Sequence, residues 1–183
     1  MRLQPDLLGA QFNLATALLG EGNATEAIHH YQTALALKPD LAVAHYKLAV
    51  AWTRLGNYDR ATNCCDHVMK LSAELVPALA DCAWLLATHE GAAPPDVQRA
   101  IEFATRACRL TGENDLACLD ALAAAYAANG QFAEAVTTAE TALALARKSG
   151  PAALVPEIEK RLNLYRTRQP YRTALPVVLP SDW

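Results

Sequence analysis

Catalysis by this chain would need a nucleophile beside a base, an acid/base pair or a cluster of metal ligands, and those residue types can be placed at once. The five histidines, His29, His30, His45, His67 and His89, form no HExxH, and no carboxylate accompanies them at ligand spacing on one helix face. Ser72, Ser149 and Ser181 are the only serines, none of them within G-x-S-x-G, and neither GxGxxG nor a Walker sequence occurs. Cys64, Cys65, Cys82, Cys108 and Cys118 contain no CxxC pair, and their odd number leaves one unpaired in any full disulfide scheme. Reduced thiols in a cytoplasmic protein fit that usage, with Cys65 and Cys82 as small buried hydrophobes and a redox pair as the second reading. The expectation is therefore a chain that is not an enzyme and takes no metal and no cofactor.

Composition narrows the alternatives. With 183 residues, 52% of them apolar, the chain has the make-up of one folded domain, rich in the helix formers Ala and Leu. A net charge of -3 argues against nucleic acid as a partner. The charge is uneven, since Arg147 to Arg172 form a basic block on an otherwise acidic chain, which reads most simply as a solvated face. The N-terminal stretch is broken by Pro5 and Asp6, and no run is long and apolar enough for a membrane span.

The elements that must position any site come from an internal repeat. Leu14 and Leu48, Gly22 and Gly56, and Ala27 and Ala61 are each 34 residues apart. Registered on the small residue that opens each second helix, four copies align at Ala27, Ala61, Ala100 and Ala135. Each copy divides into two amphipathic helices joined by a turn, with Gly22, Gly56 and Gly130 at three of the turns. The third copy has extra residues around Gly91, Pro94 and Pro95, which lengthen the turn between its helices.

These copies resemble the tetratricopeptide repeat (TPR), whose pattern is W-x2-L-G-x2-Y, then A-x3-F, then P. The first copy meets it with Leu14, Ala15, Leu18, Ala27, Tyr31, Ala34 and Pro39, and the second with Leu48, Ala49, Trp52, Gly56, Ala61, Cys65 and Val68. The third supplies Cys82, Ala83, Leu86, Ala100, Ala104 and Ala107, and the fourth Leu122, Ala123, Tyr126, Gly130, Ala135, Ala139 and Ala142. The resemblance implies an all-α, right-handed solenoid of helix-turn-helix repeats with a C-terminal capping helix and an extended tail. Residues 1-7 would close a preceding partial repeat, residues 8-41, 42-75, 76-115 and 116-149 would be the four repeats, and 150-168 the cap. Within that cap, Leu154, Ile158, Leu162 and Tyr165 would face the fourth repeat, with Glu157, Glu159, Lys160 and Arg161 between them.

The tail, residues 169-183, carries Pro170, Pro176 and Pro180 and with them the apolar Leu175, Val177, Val178, Leu179 and Trp183. Two readings stay open for it: a free end, or an extended peptide docked in a groove of its own or of a neighbouring copy. The last half also looks like the C-terminal end of larger bacterial TPR proteins, some with a glycosyltransferase-like part upstream.

Family groove positions, carried over, fall on Phe12, Asn13, Thr16 and Leu19, then Tyr46, Lys47, Val50 and Thr53, then Asp81 and Trp84, then Asp120 and Ala124. Among these, only Lys47 suits the two-carboxylate clamp of chaperone-binding relatives, and the asparagine run of sugar-transferase relatives stops after Asn13. Phe12, Tyr46 and Trp84 suggest instead an aromatic stripe that could take apolar or proline-rich peptide side chains, with packing between neighbouring helices as the other open reading. The leading function is a protein-interaction scaffold that binds an extended peptide in the concave groove. A structural or oligomerising spacer, self-associating through the N-terminal edge or the tail, and a regulatory region of a larger glycosyltransferase-like protein are the alternatives. Ala27 tests the register: Ala27→Trp should overpack the first hairpin and lower its stability by about 1-3 kcal/mol or more. A thermal melt equal to that of the parent would show the register to be wrong.

Overall fold

The computed structural model describes residues 3-72 and 74-173, with side chains from residue 7 onward. The chain divides into two compact units, residues 1-78 and 79-183. Among the described residues all regular structure is helical and no strand occurs.

The first unit holds α1 (Leu3–Gly20), α2 (Ala24–Leu37), α3 (Ala42–Arg54) and α4 (Tyr58–Leu71), and each packs against the next. Residues 3-7, which the repeat register aligns with the close of a repeat, are here the first residues of α1. α1 turns into α2 at Gly22, whose φ of 85° is a left-handed conformation that a Cβ would disfavour. The Asn23 N–H then reaches back to the Leu18 carbonyl at 2.8 Å, and the Asn23 side chain caps α2 by accepting from the Glu26 N–H. Asn57 does the same for α4, accepting from the Arg60 N–H. The helices meet on small side chains: Ala15, Ala27, Ala34, Ala44 and Ala61 are fully buried, and the larger Tyr31 and Val68 fill the space beside them.

The second unit contains α5 (Val76–Thr88) from Leu79 onward, α6 (Pro94–Leu110), α7 (Leu116–Ala128), α8 (Phe132–Ser149) and α9 (Leu154–Arg166). The connector 89-93 before α6 is longer than the connector 129-131 before α8. Pro94 opens α6, where a missing N–H is harmless, and the Asp96 carboxylate accepts from the Ala93 N–H. α7 is packed between α6 and α8, and α8 in turn carries α9. Because α7 has neighbours on several sides, its buried positions run almost continuously from Cys118 to Ala125.

Cys64, Cys108 and Cys118 are buried free thiols, whereas Cys65 and Cys82 are disulfide-bonded. Five reduced thiols are therefore not what the structure holds, because the spacing of cysteines along a sequence does not report which sulfurs meet in space. Burial pushes the Cys64 thiol up to about 11, and burial with the charges of Glu113 and Asp115 pushes Cys108 up to about 12. Neither is a thiolate nucleophile at neutral pH.

Gly150 ends α8 where a side chain would not fit: a Cβ there would lie 2.9 Å from the Cα of Ala146 and 3.3 Å from a Leu116 methyl. Gly150→Ala should therefore lower stability by about 1-3 kcal/mol, read as a reduced urea midpoint. An unchanged midpoint would mean that the chain after α8 can shift away from the Ala146 backbone without cost.

Candidate functional site

The most unusual chemistry in the second unit is a buried ion pair. Asp120 on α7 and Arg161 on α9 are joined by two hydrogen bonds, Arg161 Nε to Asp120 Oδ1 at 3.1 Å and Arg161 Nη2 to Oδ2 at 2.5 Å. Their side chains are 0% and 4% exposed, so neither charge can rely on water. Burial pushes the Asp120 carboxyl up, with the guanidinium of Arg161 pulling the other way. The same guanidinium lies 5.2 Å from the ring centre of Trp84 and 5.6 Å from that of Tyr171. The two rings are themselves tilted against each other at 5.6 Å.

Tyr171 reaches this position because the chain reverses after α9. Thr167 caps the helix, Arg168 adopts a left-handed φ of 60°, and the Gln169 N–H closes the turn on the Leu164 carbonyl at 2.9 Å. A residue with a Cβ in that conformation costs about 1 kcal/mol, which the surrounding contacts must offset. From there the chain runs without regular structure through Pro170 to Thr173 and arrives at the C-terminal end of α5.

A helix leaves its last carbonyls without intrahelical partners and carries partial negative charge there. At α5 the returning segment meets that need. Arg172 Nη1 donates to the Ala87 carbonyl at 2.5 Å, and the Thr173 N–H donates to the Thr88 carbonyl at 3.0 Å. The two threonine hydroxyls add a bond at 3.0 Å, Thr173 Oγ1 donating to Thr88 Oγ1, while Thr88 Oγ1 donates to the Trp84 carbonyl at 2.8 Å. Nearby on α9, the Tyr165 hydroxyl is fully buried and makes no hydrogen bond. Burial and the Asp120 charge push its pKa upward, so it stays a neutral phenol.

The groove positions read from sequence distribute unevenly. In the first unit Phe12 is half-buried with its ring edge-on to Tyr31 at 5.7 Å, and Thr16 bonds the Phe12 carbonyl and the Tyr31 hydroxyl. Asn13 is exposed. Tyr46 is buried with the Lys47 ammonium 4.9 Å from its ring centre, and Val50 is buried as well. In the second unit Asp81 and Trp84 are both 2% exposed, Trp84 beside Arg161 and Tyr171. Arg161, read from sequence among the polar residues of the cap, belongs to its buried face instead. The signal was available, since Ile158, Arg161, Leu162 and Tyr165 share one helical stripe. Among the described residues no group of three or more His, Cys, Asp or Glu could hold a metal ion, and no helix is long and apolar enough to cross a membrane. A surface pocket of about 370 Å³ is lined from α8 and α9, but the ion pairs Arg147–Glu159 and Arg166–Glu140 at its wall are exposed and mutually neutralised.

Models of the tetratricopeptide repeat match residues 18-83 and 116-149. The chain belongs to the tetratricopeptide-repeat family. No curated protein sequence matches it. Among solved structures this TPR chain is similar to MamA 41-end from Desulfovibrio magneticus RS-1, with 18% identity, 89% of each chain covered and a TM-score of 0.67. It is similar also to Pseudomonas aeruginosa pilF, with 19% identity, 90% of this chain and 74% of that one covered and a TM-score of 0.66. A Thermobaculum terrenum O-GlcNAc transferase mutant matches over 81% of this chain and 27% of that one, with 19% identity and a TM-score of 0.63. At such identities the likeness is one of fold, and it places this chain among all-α TPR solenoids.

Truncating one partner of the buried ion pair should show how tightly the site is built. Asp120→Ala strands the Arg161 charge and should cost about 3-5 kcal/mol in urea unfolding, whereas the double replacement Asp120→Leu with Arg161→Met should cost far less. Equal losses in both would mean that packing, and not charge, is what the pair supplies.

Proposed function

We propose that this TPR chain binds a partner protein through an extended peptide segment, and that one seat for that peptide lies where α5 ends beside α9. TPR folds are protein-interaction scaffolds, which sets the class of function. The observation that carries the finer reading is the bond from the Thr173 N–H to the Thr88 carbonyl. That bond is a backbone N–H from a non-helical segment given to a carbonyl at the helix end, a main-chain contact that an extended peptide could make in its place, which supports this reading. Trp84, Thr88 and Arg161 furnish the pocket, with Asp81 as a further member. In the first unit, Phe12, Asn13, Thr16 and Lys47 offer surface to a ligand, while Tyr46 and Val50 are buried, Tyr46 beneath the Lys47 ammonium.

Selection from a random peptide library against the full chain carrying Tyr171→Ala, Arg172→Ala and Thr173→Ala, which clears the seat, followed by hydrogen exchange on the complexes, tests this reading. Enriched peptides should slow exchange at the end of α5 and along α9. Thr88→Val, which keeps the volume and removes the hydroxyl, should weaken them by about 1 kcal/mol. Protection confined to other segments, or no enrichment at all, would overturn the assignment of this seat.

A further inference from the structure

The segment that occupies the seat has a definite chemical order, and each of its residues answers a separate feature of the surface. Tyr171 puts an aromatic ring against Trp84 and the Arg161 guanidinium. Arg172 brings a cation to the Ala87 carbonyl at the negative end of α5. Thr173 matches Thr88 twice, through its N–H and through its hydroxyl, and is itself buried. One buried group is left unmet, the Tyr165 hydroxyl, which makes no hydrogen bond while the chain's own segment is in place.

Resting on the proposed peptide-binding function, we propose that this seat recognises a partner peptide of the order aromatic, basic, hydroxyl, and that the chain's own Tyr171–Arg172–Thr173 is a built-in competitor for it. The competitor is tethered to α9 by a short turn, so it acts at an effective concentration on the order of millimolar, and a free peptide of equal quality is outcompeted until the tether lets go. A peptide that also satisfies the Tyr165 hydroxyl has an advantage the chain's own segment lacks, and that difference is what allows a partner to win.

The test uses a fluorescent synthetic peptide, Pro-Tyr-Arg-Thr-Ala, and anisotropy titrations of two full-length forms: the parent chain and the triple variant Tyr171→Ala, Arg172→Ala, Thr173→Ala. Release of the competitor should tighten binding by at least about tenfold, and a scrambled peptide should bind neither form. Adding Thr88→Val to the released variant should weaken the peptide several-fold. If the triple variant does not fold, Thr173→Pro alone deletes the N–H given to Thr88 and serves the same comparison. Equal affinity in parent and released forms overturns the competitor. Library peptides that bind while the aromatic-basic-hydroxyl peptide does not would overturn this inference and leave the peptide-binding function standing. Failure of every peptide on the released form would remove both.

Discussion

Two helices approach only as closely as the side chains between them permit, and the rest of this chain follows from that limit. Alanines at Ala15, Ala27 and Ala34 let α1 and α2 close, and Ala135, Ala139 and Ala142 hold the matching positions on α8. With so little volume at the contacts, the few large residues must fill what the helices leave. Tyr31 and Trp84 are both almost fully buried for that reason. The left-handed Gly22, Gly56 and Gly130 then follow the ends of α1, α3 and α7, and Asn23 and Asn57 cap the starts of α2 and α4, so side-chain volumes and chain reversals share one periodicity.

Much of this was legible in the residues. The 34-residue spacing gave the helical pairs, Gly22 and Gly130 the turns, and Pro94 the delayed start of α6. For Trp84 the residues left a groove position and packing between helices both open; it is buried, against groups from α9 and from the segment after it that lie far away in sequence. Arg161 was misplaced because a charged residue in a capping helix is ordinarily solvated. Only the stripe shared with Ile158 and Tyr165, together with a carboxylate on α7, reverses that default.

The segment after α9 was harder still. Its prolines excluded helix and left a free end and a docked peptide equally open, and the outcome at Tyr171 to Thr173 depends on which way the backbone turns at residue 168. Nothing in the sequence marks that turn, since glycine is the residue that ordinarily takes such a conformation and arginine stands there. The apolar residues Leu175, Val177, Val178, Leu179 and Trp183 lie outside the described residues.

The reversal at Arg168 has a bearing on how such a site could be tuned. This residue carries the left-handed torsion after which the segment reaches α5, and the bonds to Ala87 and Thr88 are made by Arg172 and Thr173. The balance between a closed and an open seat is therefore adjustable at a position that neither surface sees. Glycine there would shift the population toward closure, and a β-branched side chain, poorly suited to a positive φ, would shift it toward opening. If the seat takes a peptide as proposed, selectivity resides in the helices and availability in a single backbone dihedral, so the two can drift independently under mutation.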